Sequence, residues 1–255
     1  MDLPNIERYS SDLGIDVYEI MAPFLPGFCP DFSTFFDISI RELYNNQKDC
    51  VLFNKEGITT KLKGDQKNVL GALTELYVAG VFAPYIVEHG SPDLCLEING
   101  IRMEVEITNR RSEKGLIDKD GRDKEWDGEF KNLIDKINKK KKNHPHFIFI
   151  AVTERAFEKD PPGLRTNIPK SWITATYATP RERIIESLDN RLNGILVYEY
   201  MPLHLMGSES AIADTEVAHS LVDTMKERYK EIYPQNWLNS PLFVLDKIKN
   251  GAVPI

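Results

Sequence analysis

A chain of 255 residues with 42% hydrophobic and 28% charged side chains is long enough to bury a substantial core, and it reads as one elaborated soluble globular domain over residues 1–255. A net charge of −7 excludes a large nonspecific nucleic-acid surface, since phosphate neutralisation supplies most of that affinity, but it leaves room for local basic patches. No apolar run reaches the roughly 18 residues a membrane span needs, and the N-terminal stretch lacks a basic-then-apolar signal pattern, so a cytoplasmic protein with no membrane partner is expected. Cys29, Cys50 and Cys95 are odd in number and not spaced as metal ligands, which predicts reduced thiols.

In chain order, Met1 to Lys63 mixes proline-rich loops with short apolar segments, and is read as cover for a sheet edge or as part of a homodimer interface. Gln66 to Phe82 places Val69, Leu73, Leu76, Tyr77 and Gly80 at helical spacing, an amphipathic pattern that should pack on a sheet. Tyr85 to His89 is a short first strand. Asn99-Gly100 then favours a type I′ turn, because both central residues must adopt positive φ, so the flanking runs should pair as a hairpin. A two-residue loop sets Leu94 opposite Val105, Leu96 opposite Met103, Cys95 opposite Glu104, Glu97 opposite Arg102 and Asp93 opposite Glu106. A polar loop follows from Asn109 to Arg122, and then a helix from about Lys124 to Lys142 with Trp126, Phe130, Leu133, Ile134 and Ile137 on one face. Phe147 to Thr153 is a continuous apolar run, short enough for a strand buried on both faces. Beyond it, Glu154 to Pro180 is a long Pro- and Thr-rich loop, a candidate for substrate contact. An Arg181 to Arg191 helix, a Gly194 to Tyr200 strand, a Ser210 to Tyr233 helix and a shorter Pro241 to Asn250 helix complete the chain.

The hairpin carries the chemistry. Alternation lines one face with Leu94, Leu96, Ile98, Ile101, Met103, Val105 and Ile107, and gathers Asp93, Glu104 and Glu106 on the other. Like charges facing each other across a hairpin destabilise it, so something must compensate. Plain water is one answer, with Glu97 and Arg102 forming an ordinary surface pair on a solvated face. A divalent cation is the other, because Mg²⁺ takes oxygen ligands and is commonly held by one or two carboxylates plus substrate phosphates.

Ser91-Pro92-Asp93, ten intervening residues, and Glu104-Val105-Glu106 resemble the PD-(D/E)xK motif of the restriction-endonuclease-like nuclease superfamily. The order helix, strand, strand, strand, helix, strand from Gln66 to Thr153 is similar to the core of that superfamily. The resemblance implies an α/β fold with a mixed central sheet flanked by helices, a core over residues 66–153, and elaborations over 1–65 and 154–255. It implies a Mg²⁺- or Mn²⁺-dependent endonuclease acting on nucleic acid, taken as DNA, with Asp93 and Glu104 as metal ligands. One position departs from the pattern: Glu106 stands where the motif has Lys, a substitution also found among some Type II restriction enzymes, and becomes a water-positioning residue or an extra ligand. Many members also carry an acidic residue on the helix before the first strand. Glu75 is the acidic residue inside that helix, which makes it a catalytic or metal-binding candidate, against a plain solvent-facing charge. The same departure leaves open a catalytically inactive member that binds nucleic acid or a protein partner.

Positive charge concentrates in Lys136 and Lys139 to Lys142. Lysines at a helix C-terminus meet the macrodipole favourably, which accounts for most of them. Continuing the apolar stripe aims Lys140 and Lys141 at the sheet, where Lys140 is the candidate to supply the charge Glu106 lacks and both are candidate phosphate contacts. Arg110 and Arg111 follow the third strand and either clamp phosphate oxygens or belong to a solvated loop. His144-Pro-His146 lacks further ligands and reads as a loop.

Overall fold

The computed structural model describes residues 2–27, 32–47, 55–90, 92–110, 134–139, 146–153, 192–199 and 216–232. Among the described residues, four helices precede the expected amphipathic one: α1 (Pro4–Leu13), α2 (Val17–Met21), α3 (Phe32–Asn46) and α4 (Lys55–Leu62), with a 3₁₀ turn at Ala22–Gly27. Where residues 2–63 are described, the expected mixture of proline-rich loops and short apolar segments is mostly helical. Pro4 opens a helix and Pro23 and Pro26 lie in the 3₁₀ turn, places that tolerate a missing N–H. Pro4 opens α1, whose first amides find no cap of their own. Instead Asp37 of α3 reaches across, its Oδ1 accepting from the Asn5 and Ile6 N–H groups at 2.9 Å each.

Helix α5 (Gln66–Val81) starts at an Asp65 cap that accepts the Asn68 N–H at 2.9 Å. Nearly all of it from Val69 to Val81 is buried, because α3 and α4 cover the side turned away from the sheet. Gly80 lets α3 approach closely: a Cβ there would stand 2.6 Å from the Ser39 Cα and carbonyl oxygen. A second 3₁₀ turn, Ala83–Tyr85, leads into the sheet.

Among the described residues the sheet has five strands in the order β1 (Ile86–His89), β2 (Leu94–Ile98), β3 (Ile101–Arg110), β4 (Phe147–Thr153) and β5 (Leu192–Glu199). The first three are antiparallel, and β4 and β5 continue in parallel with β3. The β2–β3 register is the expected one, from Leu94 opposite Val105 to Ile98 opposite Ile101. Asn99 and Gly100 both take positive φ, 53° and 76°, as a type I′ turn requires. Leu94, Leu96, Met103 and Val105 are fully buried in one core with α1, α3 and α5. The chain is thus an α/β protein with a mixed sheet and helices packed on it.

Of the expected Lys124 to Lys142 helix, residues 134–139 are described and are helical, with Ile134 and Ile137 buried and Lys139 exposed. Lys140 and Lys141 lie outside the described residues, as do Arg111, the Glu154 to Pro180 loop, and the Arg181 to Arg191 and Pro241 to Asn250 helices. Helix α6 (Glu216–Ile232) corresponds to the helix expected from Ser210 to Tyr233. It packs on β2, β5 and α5, and Asn99 at the hairpin tip donates to Ser220 Oγ at 3.2 Å. Its Arg228 is buried: Nε donates to the Val81 carbonyl at the end of α5 (3.1 Å), Nη2 to Glu42 of α3 (2.8 Å) and Nη1 to Glu231 (2.6 Å).

Candidate metal centre

Strand alternation brings Glu104 and Glu106 to the face of β3 opposite Met103, Val105 and Ile107. Around these two carboxylates that face is covered, although Glu97 and Arg102 nearer the hairpin tip are exposed. Glu104 and Glu106 are only 6% and 7% exposed, and Cys95, opposite Glu104, is buried. Bulk water therefore does not compensate these carboxylates, and a buried anion needs a cation or hydrogen-bond donors close by. The surface pair expected between Glu97 and Arg102 is also replaced. Arg102 keeps its register opposite Glu97 but bonds Glu88 of β1, with its Nη2 3.7 Å from the Cys95 sulfur.

Asp93 lies just before β2 and extends its ladder. Its Oδ2 accepts the Ile107 N–H at 2.7 Å, doing with a side chain what a further β2 carbonyl would do. The carboxylate is thus held against β3, one residue beyond Glu106. On the other side of Glu104, the carbonyl of His146 accepts the Glu104 N–H at 2.8 Å, which fixes the backbone beneath the carboxylate where β4 begins. Arg110 closes β3 opposite Thr153, so its backbone stands four residues beyond Glu106 on the same strand.

Glu75 is neither solvent-facing nor turned to open space. It is buried on α5, its Oε2 accepting from Lys61 Nζ of α4 at 2.5 Å and its Oε1 3.3 Å from His89 Nε2 at the end of β1. Burial by itself pushes this carboxyl up, but the hydrogen bonds from His89 and Lys61 and their charges outweigh it and hold the group below the ordinary glutamate value. Tyr9 of α1 shares the region: burial first, then Tyr44 and Glu75, push its phenol upward. A group lowered in the folded state adds stability that is complete above its unfolded pKa and is lost as pH falls through the folded one. Glu75→Gln should accordingly flatten the acid limb of a stability profile below the ordinary glutamate range while changing it little in shape near neutrality, which urea unfolding at a series of pH values reads directly.

His89 and Lys61 escaped the sequence. Each lies 14 positions from Glu75, on different elements, and the one local cue is that His89 ends a strand four residues before Asp93.

Asp93, Glu104 and Glu106 offer carboxylate oxygens, the ligand type that a hard divalent cation takes. Among the described residues no group of three or more His, Cys, Asp or Glu side chains converges into a ready-made cage. No family model, no curated protein and no solved structure matches this chain.

Proposed function

We propose that the chain is a metal-dependent nuclease that hydrolyses phosphodiester bonds, with DNA as the polymer and Mg²⁺ or Mn²⁺ as the cofactor. The observation that carries the reading is the burial of Glu104 and Glu106 on the strand whose Ile107 N–H the Asp93 carboxylate accepts. The element order supports it: α5, three antiparallel strands, the helical segment 134–139 and a parallel fourth strand follow the order that the PD-(D/E)xK resemblance implies for a restriction-endonuclease-like core.

In this reading Asp93 and Glu104 hold the cation. When bound, it supplies Lewis acidity, lowering the pKa of a water and offsetting charge on the leaving oxygen. Glu106, two residues further along the same face, orients the attacking water and takes up its proton. Arg110, with Arg111, Lys140 and Lys141, supplies the cationic contacts to the polymer backbone, and Lys140 the positive charge that the motif's third position lacks.

A second reading has a specific observation in its favour. Asp93 and Glu75 both spend carboxylate oxygens on bonds within the protein, as they would in an inactive relative that binds nucleic acid or a protein partner. Differential scanning fluorimetry separates the two. Millimolar Mn²⁺ should raise the thermal midpoint, and the same preparation should cleave single- or double-stranded DNA or RNA in a metal-dependent manner. Stabilisation without cleavage of any polymer favours the inactive relative, and the absence of both effects overturns the nuclease reading.

A further inference from the structure

The resemblance aims Glu75 at the metal, yet the fold gives both of its oxygens other work. Oε2 accepts from Lys61 at 2.5 Å and Oε1 faces His89 at 3.3 Å, in a site where only 10% of the Glu75 side chain meets water. Ligating a cation would require Glu75, itself buried, to give up a charge-assisted bond to the 42% exposed Lys61 side chain and its contact with the buried His89. His89 is the last residue of β1 and sits directly opposite Leu94, the residue after Asp93. The chain turns at once: Gly90 takes a φ of 130°, its N–H reaches the Asp93 carbonyl at 3.4 Å, and the Asp93 carboxylate accepts from Ile107 at 2.7 Å. Holding the imidazole on α5 therefore holds the turn that delivers Asp93.

We propose that Glu75 is a positioning residue and not a metal ligand: through His89 it anchors the β1–β2 turn on α5 and so sets the Asp93 carboxylate against β3. The functional consequence rests on the reading of Asp93 and Glu104 as a cation site, while the anchoring itself does not.

Two measurements on the full chain test it: amide hydrogen exchange at Ile107, and calorimetric titration with Mn²⁺. Glu75→Leu and His89→Leu should each speed Ile107 exchange by about tenfold relative to Leu96 and Met103. Each should also weaken Mn²⁺ binding by about tenfold, as loss of a supporting partner does, and the double variant should be no worse than either single one. His89→Gln keeps an N–H for Glu75 and should restore Ile107 protection. Lys61→Met removes the partner that does not touch the turn, and should leave Ile107 as in the parent. Unchanged Ile107 exchange in folded Glu75→Leu and His89→Leu overturns the anchor. Tighter Mn²⁺ binding in His89→Leu, the result of releasing Glu75 to ligate, overturns it as well. A parent chain that binds no Mn²⁺ overturns the cation-site reading and the functional half of the proposal with it, while Ile107 exchange, read without metal, decides the anchor separately.

Discussion

Asp93→Asn and Glu104→Gln should each cut metal-dependent cleavage by at least about 100-fold, the upper end of what even outer-shell partners of a metal cost. Both should remain folded. Asparagine keeps a side-chain oxygen for the Ile107 N–H, and glutamine at 104 removes one of two buried like charges on β3. Asp93→Ala is a poorer probe than the hairpin pattern alone suggests. It relieves carboxylate crowding but strips the acceptor from Ile107, a loss of about 1 kcal/mol, so reduced activity there would mix chemistry with local unpairing. Initial rates over a Mg²⁺ series, with circular dichroism as the folding check, separate these effects. Retained cleavage in both folded variants would remove Asp93 and Glu104 from the mechanism.

The largest effect on stability is expected at Arg228. Its guanidinium joins α6 to Glu42 of α3 and to the last carbonyl of α5, with 7% of the side chain exposed. Arg228→Ala leaves buried Glu42 with only the half-exposed Arg41, whose Nε and Nη2 donate to its Oε1 at 3.2 and 3.1 Å, and should cost about 3 kcal/mol, the lower end of the penalty for breaking a buried pair on one side. Arg228→Lys should recover only a part, because a point charge on a flexible stem cannot span three separate acceptors. A paired Arg228→Met/Glu42→Met chain should regain much of the loss, since the penalty lies in the stranded charge rather than in the missing attraction. Urea unfolding of the three variants reads all of this, and a loss under about 1 kcal/mol for Arg228→Ala would place the pair in the class of screened surface bridges.

Local rules made the centre of the fold legible. Asn99-Gly100 and strict alternation determine the hairpin and its register together, and an unbroken apolar run marks β4 at its observed bounds, Phe147–Thr153. The N-terminal helices were harder because their stabilising groups are distant. The amides that open α1 are capped by Asp37, about 32 residues on, and Gly80 of α5 shows its use only when Ser39 of α3 lies against it. In the candidate site, the shared face of Glu104 and Glu106 followed from pattern, but its burial did not, since alternation gives sidedness and says nothing of what covers a face. Glu75 could be placed on its helix from the sequence. Its engagement by Lys61 and His89 depends on how α4, α5 and β1 meet, and no local spacing encodes that.

The central claim is that Asp93 and Glu104 hold a divalent cation, and a crystal grown with Mn²⁺ tests it most directly through anomalous diffraction. An anomalous peak is expected about 2.0–2.3 Å from one oxygen of each carboxylate, lost in Glu104→Gln crystals grown the same way. A Mn²⁺-saturated crystal with no peak between Asp93 and Glu104, or with its only peak elsewhere, would contradict the account.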